Sequence, residues 1–164
     1  MSNLTNFLRQ ADIFDQLSAV QLELIADLCE KRTYGMEEII VEEGANGKEL
    51  YIIIQGEADV LVNPAIVGGP ANASKGMVTI ATLRRGQSFG EIALVDEGLR
   101  SATVRAARRN TELLVISRDR LMTLCETNPQ LGYRLMYNLA ADLAMKIRNV
   151  GLRIRETLLY GKKM

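Results

Sequence analysis

Between Gly86 and Ala106 the chain reads GQSFGEIALVDEGLRSATVRA, which sets an acid, Glu91, directly after a glycine and nine residues ahead of Arg100, with Ser101 following. A carboxylate accepts hydrogen bonds from a pair of sugar hydroxyls, and a guanidinium offers a planar fork to phosphate oxygens. Backbone N–H groups near Gly90 add donors for an anion. These residue types suit a small ligand that carries both hydroxyls and a phosphate. The same run also reads as a strand, a tight turn and a second strand that happen to carry charges, and taken alone it does not choose between the two.

Other chemistries are harder to build. The chain has no histidine, which removes the usual general base, the serine and cysteine triads that depend on it, and the commonest metal ligand. Cys29 and Cys125 are isolated, in helix-like contexts, with no CxxC or finger spacing, so packed thiols in a reducing compartment are expected. No enzyme, metal or cofactor is expected on these grounds.

The elements that must position Glu91 and Arg100 follow from length and pattern. A chain of 164 residues fits one domain with an appended helix or two. Its zero net charge hides a segregation: residues 1–31 sum to −3, 32–130 to −2 and 131–164 to +5. A basic end can meet nucleic acid or acidic lipid, but docking on the chain's own acidic start, or simple solvation, is the expectation. No charged leader precedes an apolar core, and runs such as LYIII are too short to cross a bilayer, so a cytoplasmic location is expected.

Leu4, Phe7 and Leu8 predict a first short helix, and Ser18 with Gln21 forms a capping-box signature for a second that runs to about Lys31. From Thr33 the pattern changes to short β-branched runs at residues 39–41, 51–54, 58–62, 77–83, 102–106 and 112–116, each bounded by turn residues. Six such strands with few helices between them predict a sandwich or barrel. Residues 63–76, rich in small side chains, read as a mobile hairpin loop without chemistry. Helix returns with Ser117 as N-cap and with Asn128-Pro129 as a start signal. A stripe of Leu131, Leu135, Leu139, Leu143, Ile147, Val150, Ile154 and Leu158 then predicts one long helix, whose first half packs on the barrel and whose second half pairs with another copy.

With that architecture, the run Gly86-x-x-Phe89-Gly90-Glu91-Ile92-Ala93-Leu94, followed by Arg100-Ser101-Ala102-Thr103-Val104, resembles the phosphate-binding cassette of cyclic nucleotide-binding domains, the family of catabolite activator proteins and protein kinase A regulatory subunits. Glu43-Gly44-x-x-Gly47-x-x-Leu50-Tyr51-Ile52-Ile53-x-x-Gly56 is similar to the glycine-turn hairpin of the same family. The resemblance implies a mainly β, α+β chain, with N-terminal helices (1–32), a jelly-roll β-barrel (33–117) and C-terminal hinge and lid helices (118–164), acting as one domain. It implies that Gly90, Glu91, Ile92, Ala93, Arg100 and Ser101 bind ribose and cyclic phosphate: Glu91 takes the 2′-hydroxyl, Arg100 and Ser101 the phosphate oxygens, and Ile92 and Ala93 give backbone amides. It also implies that Val60, Ile80, Ala81 and Leu83 line the base.

Catabolite activator proteins touch adenine with hydroxyl residues on the long helix. Here no Ser or Thr occurs between Asn128 and Arg155, and the matching face offers Asp142, Lys146 and Ile147, with Lys146 taken as base-lining. Ser101 after the arginine favours cyclic AMP, with cyclic GMP the alternative. The resulting expectation is a cyclic nucleotide-binding regulatory module, homodimeric through its C-terminal helix. Only LLYGKKM follows Thr157, so DNA is not an expected partner, and no effector protein can be named. Two other classes compete with it. One is a dimerisation or interaction protein whose cassette binds nothing. The other is a metal-dependent jelly-roll enzyme or a haem or iron–sulfur sensor, which loses its ligands for want of histidine.

Overall fold

A strand that is apolar at consecutive positions needs cover on both faces, and the chain has two such runs, 50–54 and 113–116. A computed structural model describes residues 3–64, 76–96 and 98–161; the loop expected over 63–76 falls largely outside the described residues. The elements in order are α1 (Asn3–Leu8), a 3₁₀ turn (Asp12–Phe14), α2 (Ala19–Ala26), β1 (Cys29–Tyr34), β2 (Ile39–Val41), β3 (Glu49–Gln55), β4 (Ala58–Val62), β5 (Val78–Leu83), β6 (Ser88–Phe89), α3 (Ile92–Val95), β7 (Thr103–Ala106), β8 (Thr111–Ser117), α4 (Arg118–Thr127) and α5 (Pro129–Tyr160).

The strands form two antiparallel four-stranded sheets, ordered β1-β8-β3-β6 and β2-β7-β4-β5. The two sheets are separate, not one closed barrel, and in other respects the jelly-roll architecture is as expected. β3 and β8 are the centre: Tyr51 lies opposite Val115 and Ile52 opposite Leu114. Alternation then divides their side chains. Tyr51, Ile53, Leu113 and Val115 point into the core between the sheets, with Ala58, Phe89 and Val104. Leu50, Ile52, Leu114 and Ile116 point the other way, into a second core with Phe7, Leu8, Phe14, Leu22, Ile25, Leu131, Leu135 and Leu139 of the helices. The helical layer exists to cover the outer face of this sheet.

The capping box at Ser18 is present: its hydroxyl accepts from Gln21 N–H at 3.2 Å and the Gln21 side chain accepts from Ser18 N–H at 2.9 Å. The second helix ends at Ala26, not near Lys31, because residues 29–34 are taken by β1, which pairs with β8 from Cys29 opposite Ile116 to Tyr34 opposite Thr111. CEKRTY carries the charges of a solvated edge and resembles a helix surface until β8 supplies a partner. Cys29 thus sits on a strand, its thiol donating to Ile25 O at 3.3 Å, and burial pushes that thiol up to about 12. Ser117 stands at the N-cap of α4 without a side-chain bond, while Pro129 begins α5 as expected.

α5 has two faces. Leu131, Leu135 and Leu139 are buried, and no residue after Leu139 on this helix is. Asn138 donates to the carbonyls of Ile13 and Asp15 at 3.0 and 2.8 Å, so the helix docks on the N-terminal 3₁₀ turn. Among the described residues no helix is long and apolar enough to cross a membrane.

Two substitutions test this packing. Leu135→Ala opens a cavity in the helical core and is expected to cost about 2–5 kcal/mol in urea unfolding, and Ser18→Ala, which removes the cap, about 1 kcal/mol.

Candidate functional site

Arg100 is only 7% exposed, a rare environment for a guanidinium, and the two glycine-rich segments explain how it gets there. Its N–H donates to Ala45 O at 2.8 Å and its carbonyl accepts from Gly44 N–H at 2.8 Å, so the turn before β3 grips the arginine backbone. A Cβ on Gly47 would lie 1.8 Å from Arg100 Nε, so only a glycine lets the side chain pass there. Gly90, at φ +84°, closes the other side: a Cβ there would lie 2.7 Å from both Arg100 Nη1 and Glu49 O.

The orientation of the guanidinium is set from below. Arg100 Nη2 donates to Glu49 O at 2.9 Å, and the group lies 5.7 Å from the centre of the Tyr51 ring. Tyr51 is itself fixed, stacked on Phe89 at 4.8 Å and donating its hydroxyl to Glu49 Oε2 at 2.6 Å. Arg32 of β1 holds the same carboxylate at 3.2 and 2.9 Å. Burial raises the Glu49 pKa, but hydrogen bonds from Arg32 and Tyr51 outweigh it and leave it below the usual carboxylate value. After all these contacts Arg100 Nη1 is still buried without a hydrogen-bond partner. A buried donor of this kind calls for an explanation, and an anion in the adjoining cavity supplies one.

Glu91 is 5% exposed and sits at the N-cap position of α3, where its carbonyl accepts from Leu94 N–H at 3.1 Å. The amides of Ile92 and Ala93 precede that first bond of the turn, as helix-start amides do. Ile92 is 42% exposed at the cavity wall. Glu91 Oε1 accepts a short hydrogen bond from the Lys146 ammonium of α5, which also pairs with Asp142 at 2.8 Å one turn earlier. Burial pulls the Lys146 pKa down, but the Glu91 and Asp142 carboxylates more than reverse this and leave it above the ordinary lysine value.

These groups line one cavity of about 500 Å³, within the 300–1,000 Å³ common for small-molecule sites. Every residue predicted from the sequence is on its wall: Gly90, Glu91, Ile92, Ala93, Arg100 and Ser101 on the cassette side, Val60, Ile80, Ala81 and Leu83 from β4 and β5, and Lys146 from α5. Lys146, expected beside the base, instead reaches the acid, because a buried carboxylate and Asp142 draw its charge there. Asn149, Val150 and Arg153 also face the cavity, and Arg153 donates to Ile80 O at 3.0 Å, which brings α5 across β5. The spacing of 146, 149, 150 and 153 is one helical face, a signal that was open to reading. Tyr51 and Glu49 beneath Arg100 had none beyond their place in an apolar strand.

A model of the family described as "Cyclic nucleotide-binding domain" matches residues 31–128. The cAMP-dependent protein kinase regulatory subunit of Mycosarcoma maydis is 32% identical over 120 residues, which cover 73% of this chain and 20% of that protein. The Cyclic AMP receptor protein of Thermus thermophilus is 30% identical over 147 residues, 90% of this chain and 62% of that one. The human cGMP-dependent protein kinase 2 is 31% identical over 114 residues, 70% of this chain and 14% of that one. Among solved structures, a cyclic nucleotide-binding domain from Methylobacillus flagellatus superposes with a TM-score of 0.78 at 25% identity, over 94% of this chain and 82% of that one. The chain thus spans from 14% to 62% of the length of these curated relatives.

The close passage at Gly47 gives a direct test of the clamp. Gly47→Ala is expected to destabilise the fold by roughly 1–3 kcal/mol through overpacking against Arg100, read as a lowered urea midpoint, whereas Gly76→Ala, with open space around it, leaves the midpoint unchanged.

Proposed function

The chain belongs to the cyclic nucleotide-binding domain family, and we propose that it is a regulatory module that senses cyclic AMP, with Glu91 on the ribose, Arg100 and Ser101 on the cyclic phosphate, and β4 and β5 along the base. The observation that carries this reading is the buried, unpartnered Nη1 of Arg100 beside a buried acid in a cavity of suitable size. The preference for cyclic AMP over cyclic GMP rests on Ser101. Relatives named for both nucleotides align with the chain, so the base is a matter for titration.

One observation favours the reading in which the cassette binds nothing: Glu91 already has a cationic partner in Lys146. Arg100 has no such internal partner for Nη1, and a buried charge kept partly unsatisfied adds little to stability. That asymmetry supports a ligand.

The exposed face of α5 supports a homodimer. Tyr133, Tyr137, Ala140, Ala144, Ile147, Gly151, Ile154 and Leu158 alternate at spacings of four and three, the period of a coiled-coil seam. This row differs from the Leu131, Leu135, Leu139 row that enters the core. The large members are open, with Ile147 at 72% and Leu158 at 68% exposure, and Ala140, Ala144 and Gly151 permit close approach of a second copy. The two unpaired cysteines, Cys29 and Cys125, suit a reducing compartment such as the cytoplasm.

Two measurements test these readings. Cyclic AMP should raise the thermal midpoint of the wild-type protein, and Arg100→Ala should lose most of that shift, because a charge-assisted bond of about 1.5–3 kcal/mol corresponds to one to two decades in affinity. Arg108→Ala, which breaks only the exposed pair with Glu57, should keep it. No shift at millimolar cyclic AMP or cyclic GMP contradicts the function. In sedimentation equilibrium, the wild type should be dimeric at micromolar concentration and the double substitution Ile147→Glu with Ile154→Glu monomeric; a wild-type monomer contradicts the seam.

A further inference from the structure

Lys146 stands where the proposed ligand has business. Its ammonium sits on Glu91 Oε1, the atom expected to accept the ribose hydroxyl, and its second partner, Asp142, rides on the same helix. The two carboxylates differ in setting: the Glu91 side chain is 6% exposed and that of Asp142 28%. An ionised Glu91 at that depth needs a donor at all times, whereas Asp142, although its Oδ2 is buried against Lys146, keeps part of its side chain in water. Apolar anchoring of α5 ends at Leu139, so Lys146 on Glu91 and Arg153 on Ile80 O are polar ties between the distal half of the helix and the cavity wall.

Resting on the cyclic nucleotide reading, we propose that Lys146 is a built-in competitor for the ribose subsite: its ammonium and the ribose 2′-hydroxyl contend for the same Glu91 oxygen, and the hydroxyl, on binding, releases the distal half of α5. Glu91 trades one donor for another and never stands unpaired, and the displaced ammonium falls back on Asp142 and water. Occupancy of the cavity is thereby coupled to the position of a helix that also carries the dimer seam. The coupling is reciprocal: whatever pulls α5 away from Glu91 strengthens nucleotide binding by the same factor.

The test compares the wild type with Lys146→Met, which keeps the aliphatic stem and helix propensity, and with Lys146→Gln, each checked for an unaltered far-ultraviolet spectrum. In calorimetric titrations with cyclic AMP both variants should bind about tenfold more tightly than the wild type, within the usual range for coupled sites. Without nucleotide, at one protein concentration, the amides of residues 146–154 should exchange faster in the variants, and cyclic AMP should accelerate them in the wild type alone. Equal or weaker binding by the variants overturns the competition. Unchanged exchange overturns the tether. Binding of neither cyclic AMP nor cyclic GMP by any of the three proteins overturns the function itself and the competition with it, while the exchange comparison still decides the tether.

Discussion

One buried guanidinium governs the layout of this domain. Arg100 is threaded between Gly47 and Gly90, bonded through its backbone to Gly44 and Ala45 and through Nη2 to Glu49 O, and laid over Tyr51. The contacts come from two stretches far apart in the chain, residues 44–51 and Gly90, so the group can be held only if both are brought against the loop before β7. The cost of burying the charge is met by the Glu49 carbonyl and an aromatic face, with the Glu49 carboxylate acting on it through space. That leaves Nη1 buried without a hydrogen-bond partner.

The second constraint is the division of labour along α5. Its first half is an ordinary core helix, fastened by Leu131, Leu135 and Leu139 to the outer face of the central sheet. Its second half leaves the core, crosses the cavity with Lys146, Asn149, Val150 and Arg153, and turns a row of apolar and small residues outward. One helix therefore packs on the body, lines the cavity and carries an exposed apolar row at three places along its length.

Much of this was legible in the sequence. The cavity residues could be named in advance because the cassette run and the Gly44-x-x-Gly47 hairpin resemble those of cyclic nucleotide-binding domains, and most strands showed as β-branched runs separated by turns. What stayed hidden has a physical cause in each case. β1 was read as the end of a helix because Glu30, Lys31 and Arg32 look solvated and its pairing partner lies some eighty residues away in β8. The two-residue β6 is too short for any pattern to mark. The sequence stripe runs the core positions Leu131, Leu135 and Leu139 together with the outward positions Ile147, Ile154 and Leu158 because all are apolar; only burial separates them. The attraction of Lys146 to Glu91 depends on a distance in space across 55 positions of chain.

In the proposed site Glu91 reads a ribose while Arg100 holds a cyclic phosphate, and 2′-deoxy cyclic AMP isolates the first of these without altering the protein. Calorimetric affinities for cyclic AMP and its 2′-deoxy analogue should differ by roughly ten- to a hundredfold in favour of the ribonucleotide, the value of a hydrogen bond to a buried charge. Equal affinities would show that the acid at the centre of the cavity does not recognise the sugar, and the assignment of the site would fall with it.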